Sequence, residues 1–293
     1  MESKLKIYVL LSIALLSISS ASILVILSDA SAAACAFWRV LIASLIIWTW
    51  IYLRGSLNDV LSMSMKEFLL CVFSGVLLGS HFVAWMESLF IVPVSVSTTV
   101  VVTYPIFTAL ADALVFKKPP KGIQIAGLLL GLLGVSLFTH PYVLGNYSVL
   151  GVFMALLGSV FAAGYFSIGK FVRRSTGVLA YAAVTYLSAA ISVGTYALLT
   201  GENIINYPPR SFLYFVLLAL VPMIGGHTVM NYVLRFLRTS SVTSIALGEP
   251  VGATILAYFI IKQLVDLPKI GAMALTIASI ALIVSKEELP TES

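Results

Sequence analysis

The chain has 293 residues, of which 60% are hydrophobic and only 10% charged, and its mean hydropathy is +1.07. Soluble domains carry about 25% charged residues, so these charges cannot solvate an exterior, and apolar runs of about 20 residues make lipid the solvent for most of the surface. A soluble enzyme and a nucleic-acid-binding module are excluded, and the net charge of +5 needs no polyanionic partner, because basic loops on one side of a membrane account for it.

A membrane-crossing helix needs roughly 20 apolar residues at about 1.5 Å each. In chain order that ruler gives Ile7 to Leu27, Ala34 to Leu53, Glu67 to Leu89, Val94 to Phe116 and Gly122 to Phe138. It then gives Tyr147 to Lys170, Leu179 to Leu199, Phe212 to Arg235, Val242 to Ile261 and Lys269 to Ser285. The first stretch, with Lys4 and Lys6 before it and Ser31-Ala32-Ala33-Ala34-Cys35-Ala36 after it, imitates a cleavable signal. Its apolar length exceeds the roughly 7 to 15 residues of a signal peptide, so it is read as a retained span. The expected fold is all-α, a polytopic membrane protein of ten helices. Cys35 and Cys71 both lie in apolar runs and offer neither metal spacing nor a disulfide framework, so no metal and no cofactor are expected.

Orientation follows from lysine and arginine. With both termini inside, the cytoplasmic side holds Lys4, Lys6, Arg54, Lys66, Lys117, Lys118, Lys121, Lys170, Arg173, Arg174, Arg235, Arg238 and Lys286. Only Arg39, Arg210, Lys262 and Lys269 fall elsewhere. This bias predicts a multi-pass plasma-membrane protein with cytoplasmic N and C termini, and an even number of spans satisfies it.

The stretch GSHFVAWMESLFIVPVSVS from Gly79 aligns with GGHTVMNYVLRFLRTSSVT from Gly225, an offset of 146 residues. His81 meets His227 and Trp85 meets Asn231. One residue is lost further on, after which Tyr104-Pro105 lies over Glu249-Pro250, and FKKPPKGIQIAG over IKQLVDLPKIGA. Each copy holds five spans, an odd number, so the second enters the membrane inverted relative to the first. Two halves are expected, residues 1–141 and 142–293, as a 5+5 inverted-topology repeat with its substrate site near the midplane between them. Charge supports the inversion: Lys117, Lys118 and Lys121 follow the fourth stretch while the counterpart loop is weakly basic, and Arg235 and Arg238 follow the eighth where the counterpart is uncharged.

With AFWRVLIASLI after the first span, GSHFVAW-ESL in the third, GGHTVMNYVLRFL in the eighth and GEPVGATILAY in the ninth, the chain resembles the EamA-type transporters of the drug/metabolite transporter superfamily. The resemblance covers nearly the whole chain. It implies a ten-helix exporter of amino acids or other small metabolites and does not specify the substrate. Members usually carry Gly-Glu at the ends of the fourth and ninth spans, where this chain has Lys117-Lys118 and Lys262-Gln263.

An ionisable group inside a bilayer costs about 2.5–3.5 kcal/mol on insertion scales, so each needs a partner or a wet cavity. Six qualify: Arg39, His81, Glu87, Asp112, His227 and Glu249. His81 and Trp85, four apart, share a helix face, as do His227 and Asn231. Together they would line a central cavity for a small ligand, or the histidines would serve as polar glue between helices. Arg39, beside Trp38, stays charged and meets either Glu87 or an anionic group on a substrate. Glu249 either carries a proton, pairs with Arg39 or a substrate ammonium, or sits at a Pro250 kink; Tyr104 is its counterpart. Asp112 is expected to snorkel or pair with a loop lysine. The expected substrate-binding set is Trp38, Arg39, His81, Trp85, Tyr104, His227, Asn231 and Glu249.

These features point to a secondary transporter, an exporter of amino acids or similar metabolites working by alternating access, with proton coupling resting on Glu249 and the histidines. The alternatives are a facilitative channel or uniporter for small polar solutes, and an intramembrane enzyme. No GxxxxGK[ST] run is present for ATP-driven pumping. The expected partners are a small-molecule substrate and the lipid bilayer, with no nucleic acid. Small-residue pairs at Gly75 and Gly79, Ala109 and Ala113, and Gly127, Gly131 and Gly134 permit close packing within one chain or between two, so a monomer and a homodimer both remain open.

Overall fold

The computed structural model describes residues 4–139, 148–261, 267–285 and Glu287. The division expected at 141/142, and Lys262, Gln263, Asp266 and Lys286, lie outside the described residues, as does the side chain of Lys269.

Among the described residues, helices occupy all ten expected stretches, but not all as single rods. α1 (Lys4–Ile18) and α2 (Ala21–Leu27) are separated where the Ser19 and Ser20 hydroxyls donate to the Leu15 and Ser17 carbonyls at 2.7 and 2.8 Å, competing with the helix ladder. α3 (Ala32–Leu53) starts at Ser31, whose hydroxyl accepts from the Ala34 amide. A short α4 (Asn58–Leu61) leads to α5 (Met65–Ile91), opened by a capping box of Ser64 and Glu67. The fourth stretch is broken into α6 (Val94–Val101) and α7 (Tyr104–Leu114), and α8 (Gly122–Thr139) follows.

In the second run, α9 (Val149–Val172) and α10 (Val178–Thr200) are continuous. α11 (Pro209–Leu218) widens into a π-helical stretch over Ala219–Thr228 that contains Pro222, before α12 (Val229–Val233). Proline lacks the amide and crowds the preceding turn, which accounts for the loosened winding. α13 (Thr239–Thr243) passes through a 3-10 turn, Ser244–Gly248, into α14 (Glu249–Ile261), and α15 (Leu267–Ser285) ends the described run.

Among the described residues, seven helical stretches are long and apolar enough to cross a membrane, with α1–α2, Val96–Leu114 of α6–α7 and α11–α12 each taken as one; the apolar parts of α8 and α15, Gly122–Leu137 and Ile270–Ser285, are shorter, and the ninth stretch is interrupted by its 3-10 turn. Polypeptide of the expected hydropathy is thus present throughout, while regular winding is lost where serine or proline disturbs the ladder.

The packing is reciprocal. α5 lies against α9 and α10, and the π stretch against α1 and α3, while α3 meets α10, α7 meets α13 and α8 meets α15. Glycines permit the approach. A Cβ on Gly75 would lie 2.4 Å from the Thr185 carbonyl oxygen of α10. The row at Gly127, Gly131 and Gly134 packs on Ile283, Ser279 and Thr276 of α15, so it serves contacts within the chain.

Charge separates to the two ends of the bundle. At one end Lys4, Leu237 and Glu287 share a crevice, Arg238 reaches the Pro119 carbonyl, Arg174 lies over Phe116, and Ser175 donates to Glu67. At the other, Arg210 feels the charge of Asp29, and Glu87 that of Glu202.

Candidate functional site

The breaks and bends described above converge. Arg39 from α3, His81, Phe82 and Trp85 from α5, Val101 and Tyr104 flanking the α6–α7 break, His227 from the π stretch and Glu249 at the start of α14 line one cavity of about 20 Å³. A single water needs about 10–15 Å³, so the site is contracted. Two larger grooves, about 470 and 330 Å³, open outward between helices but are walled by apolar and hydroxyl side chains without a charged group, and nothing in them would recognise a polar ligand.

Arg39 is 1% exposed. Its guanidinium carbon sits 4.0 Å from the centroid of the Phe82 ring, while Nε and Nη1 have no hydrogen-bond partner. A desolvated cation–π contact contributes about 2 kcal/mol, against about 1–3 kcal/mol for each unmet buried donor. Glu249 lines the same cavity as Arg39. Glu87 belongs to the acidic end, beside Glu202, and is not the partner of Arg39.

His81 Nδ1 lies 2.8 Å from the Gly158 carbonyl oxygen. A carbonyl only accepts, so Nδ1 carries the proton and Nε2 remains an acceptor. The His81 ring stacks on Trp85, centroids 6.1 Å apart and planes 6° from parallel, and lies 6.2 Å from His227. Trp85 Nε1 and His227 Nδ1 are buried without partners. His227 stacks on Phe166 at 5.7 Å and meets Phe82 edge-to-face at 5.3 Å. Tyr104 stacks on the other side of the same cluster, 5.7 Å from Phe166.

Tyr104 and Glu249 are equivalent in more than alignment. Each is the first residue of a helix that resumes after a break, and each is followed by proline, which fits the first turn of a helix.

Two expected residues lie elsewhere. Trp38 points away from the cavity; its Nε1 donates to the Ile204 carbonyl at 2.6 Å, and its ring packs on Phe212 and Phe215. Asn231 sits behind His227, its amide donating to the His227 carbonyl at 2.8 Å and to the Tyr165 hydroxyl. Asp112 does not snorkel. It is 2% exposed and accepts from the amides of Thr239 and Ser240 at 3.3 and 2.8 Å. Arg173 donates from Nε to the Asn231 carbonyl at 3.1 Å; burial, and then the charge of Arg235, lower its pKa to about 10, which leaves it cationic at neutral pH.

Phe82, Tyr165, Phe166 and Tyr186 were not singled out from sequence. Phe82 carries Arg39, and the Tyr186 hydroxyl pairs with Thr228 at 2.8 Å. As aromatic residues in apolar helices, they carry no signal that separates them from ordinary core.

The sequence profile of the EamA-like transporter family matches residues 4–139 and again residues 149–285. The chain belongs to the EamA-like transporter family. Its resemblance to that family in the third, eighth and ninth stretches therefore holds over both matched segments. The chain is similar to the uncharacterized transporter YdfC of Bacillus subtilis (strain 168), at 24% identity over 189 residues, 64% of this chain and 62% of that protein. It is also similar to the uncharacterized transporter sll1319 of Synechocystis sp. (strain ATCC 27184 / PCC 6803 / Kazusa), at 27% identity over 215 residues, 71% of this chain and 64% of that protein. The matches thus span under two thirds of either relative. A solved chain titled "Crystal structure of protein" superposes with a TM-score of 0.77 at 16% identity, covering 94% of this EamA-family chain and 96% of its own, which shows a shared fold.

Proposed function

We propose that the protein is a secondary transporter that exports amino acids or similar small zwitterionic metabolites by alternating access, without catalysing a reaction. Two five-helix halves, residues 1–141 and 142–293, are inserted with opposite topology in the plasma membrane, both termini cytoplasmic. The basic end of the bundle is the cytoplasmic one. The substrate site is the contracted cavity between the halves.

The observation that carries this reading is the placement of Arg39 and the Glu249 carboxyl, one from each family-matched segment, on one small cavity, with Arg39 Nε and Nη1 unpaired. A carboxylate would meet Arg39 and an ammonium would meet Glu249. His81, Trp85, Tyr104 and His227 line the remainder. Binding expands the cavity, and Glu249 is the group that exchanges a proton. Trp38 and Asn231 support the site from behind. A channel would need a continuous polar path, whereas polar side chains here surround a space of about 20 Å³.

The first experiment is a thermal-shift screen of the purified protein against amino acids, sugar phosphates and cationic drugs, since a ligand of the folded state raises apparent stability. Stabilisation by amino acids, lost in Arg39→Ala and Glu249→Gln variants that still fold, supports the reading. Stabilisation by cationic drugs alone, unaffected by Arg39→Ala, overturns the zwitterion assignment. Efflux from proteoliposomes then tests transport itself.

A further inference from the structure

The connection between α12 and α13 is held from every side. Lys170 Nζ donates to the carbonyls of Leu234 and Leu237 at 2.7 and 2.8 Å, fixing the chain before the turn. Asp112, from α7, accepts from the Thr239 and Ser240 amides and fixes the chain after it. Between these, the Arg238 amide donates to Glu287 at 2.8 Å and its Nη1 to Gln124 Oε1 at 2.8 Å. Gln124 Nε2 and Ser241 Oγ both donate to Glu287, at 2.6 and 2.7 Å. One turn deeper, Thr108 and Thr243 join α7 to α13 through their hydroxyls at 2.8 Å. Asp112 and Glu287 are 2% and 7% exposed, and carboxylates held by several buried donors make strong charge-assisted bonds.

The repeat gives this network no twin. At the aligned positions Asp112 becomes Ala257, Thr239 becomes Pro93, Arg238 becomes Val92 and Gln124 becomes Lys269. A methyl group accepts no hydrogen bond, and proline has no amide to donate. The acceptor and one of its two amide donors are thus missing from the other copy, and without the acceptor the opposite end cannot build the same closure.

We propose that Asp112, Gln124, Arg238 and Glu287 form a polar latch that closes the Lys170–Arg238 end of the cavity, and that the closure at the opposite end lacks this latch. The inference rests on the alternating-access reading, in which the latch must break for the cavity to open toward the basic end. The two gates then differ in cost although their helices are related by duplication. Asp112 is a positioning residue, acting through the turn it holds and not through the substrate.

The first readout needs no substrate. In full-length protein with Cys35→Ala and Cys71→Ala, a reporter thiol is introduced by Thr108→Cys, between the latch and the cavity. Its labelling by a membrane-impermeant maleimide, supplied on both faces of proteoliposomes, is compared with and without Asp112→Ala. Labelling at least tenfold faster in Asp112→Ala supports the latch. Gln124→Ala and Glu287→Gln should each accelerate it several-fold, and they keep the test available if Asp112→Ala does not fold. Unchanged labelling in folded latch variants overturns the proposal. A second readout is the Thr108→Cys, Thr243→Cys pair: oxidation should stop flux and reduction restore it, and full flux in the oxidised protein would also overturn it. Failure of the transport reading appears separately, as absence of substrate flux in the wild-type protein, and leaves the labelling comparison standing.

Discussion

Arg39 lies over Phe82, its guanidinium carbon 4.0 Å from the ring centroid, and this contact holds a buried cation at the wall of the cavity in place of a salt bridge. Phe82→Leu removes the ring face while keeping an apolar side chain. The expected result is a loss of about 1–2 kcal/mol, read as ligand affinity lowered about 5- to 30-fold by titration calorimetry. Arg39→Lys keeps the charge but gives up the planar donors, and should fail to restore binding of a carboxylate ligand.

Glu249→Gln removes the group proposed to exchange a proton and keeps the shape. Proton-driven efflux from proteoliposomes should be abolished, while exchange of preloaded for external substrate continues. Equal wild-type and variant rates under a pH gradient would remove Glu249 as the coupling group.

The two tryptophans should respond in opposite ways. Trp38→Phe breaks the 2.6 Å bond to Ile204 and leaves a carbonyl unmet, at a cost of about 1–3 kcal/mol. A lower melting temperature with unchanged ligand affinity is expected. Trp85 Nε1 is already without a partner, so Trp85→Phe should leave stability equal or higher and weaken binding.

Gly75→Ala places a Cβ 2.4 Å from the Thr185 carbonyl oxygen and 2.6 Å from Ser188 Cβ. Overpacking of this kind costs about 1–3 kcal/mol, so the melting temperature should drop. Gly122→Ala meets nothing within 4 Å and should be near neutral.

The equivalence of Tyr104 and Glu249, and of His81 and His227, was legible because a duplicated chain keeps polar residues in register within otherwise apolar runs. Trp38 was grouped with Arg39 through adjacency, but consecutive helical residues point about 100° apart; Arg39 faces the cavity and Trp38 the Ile204 loop. Asn231 was paired with His227 by a spacing of four, which presumes regular α winding. The π stretch ends at Thr228, and the Asn231 amide turns back onto the His227 carbonyl.

Composition and hydropathy suffice for an all-helical membrane chain, and the aligned polar positions suffice for its duplication, because both are properties of local sequence. Which ionisable groups share a cavity depends on the rotation of each helix about its axis and on breaks at Ser19, Thr103 and Pro222. Those are settled by packing between distant segments. Asp112 illustrates the difference: alone it is a costly charge in an apolar run, and only the arrival of the Thr239 and Ser240 amides from the second matched segment satisfies it.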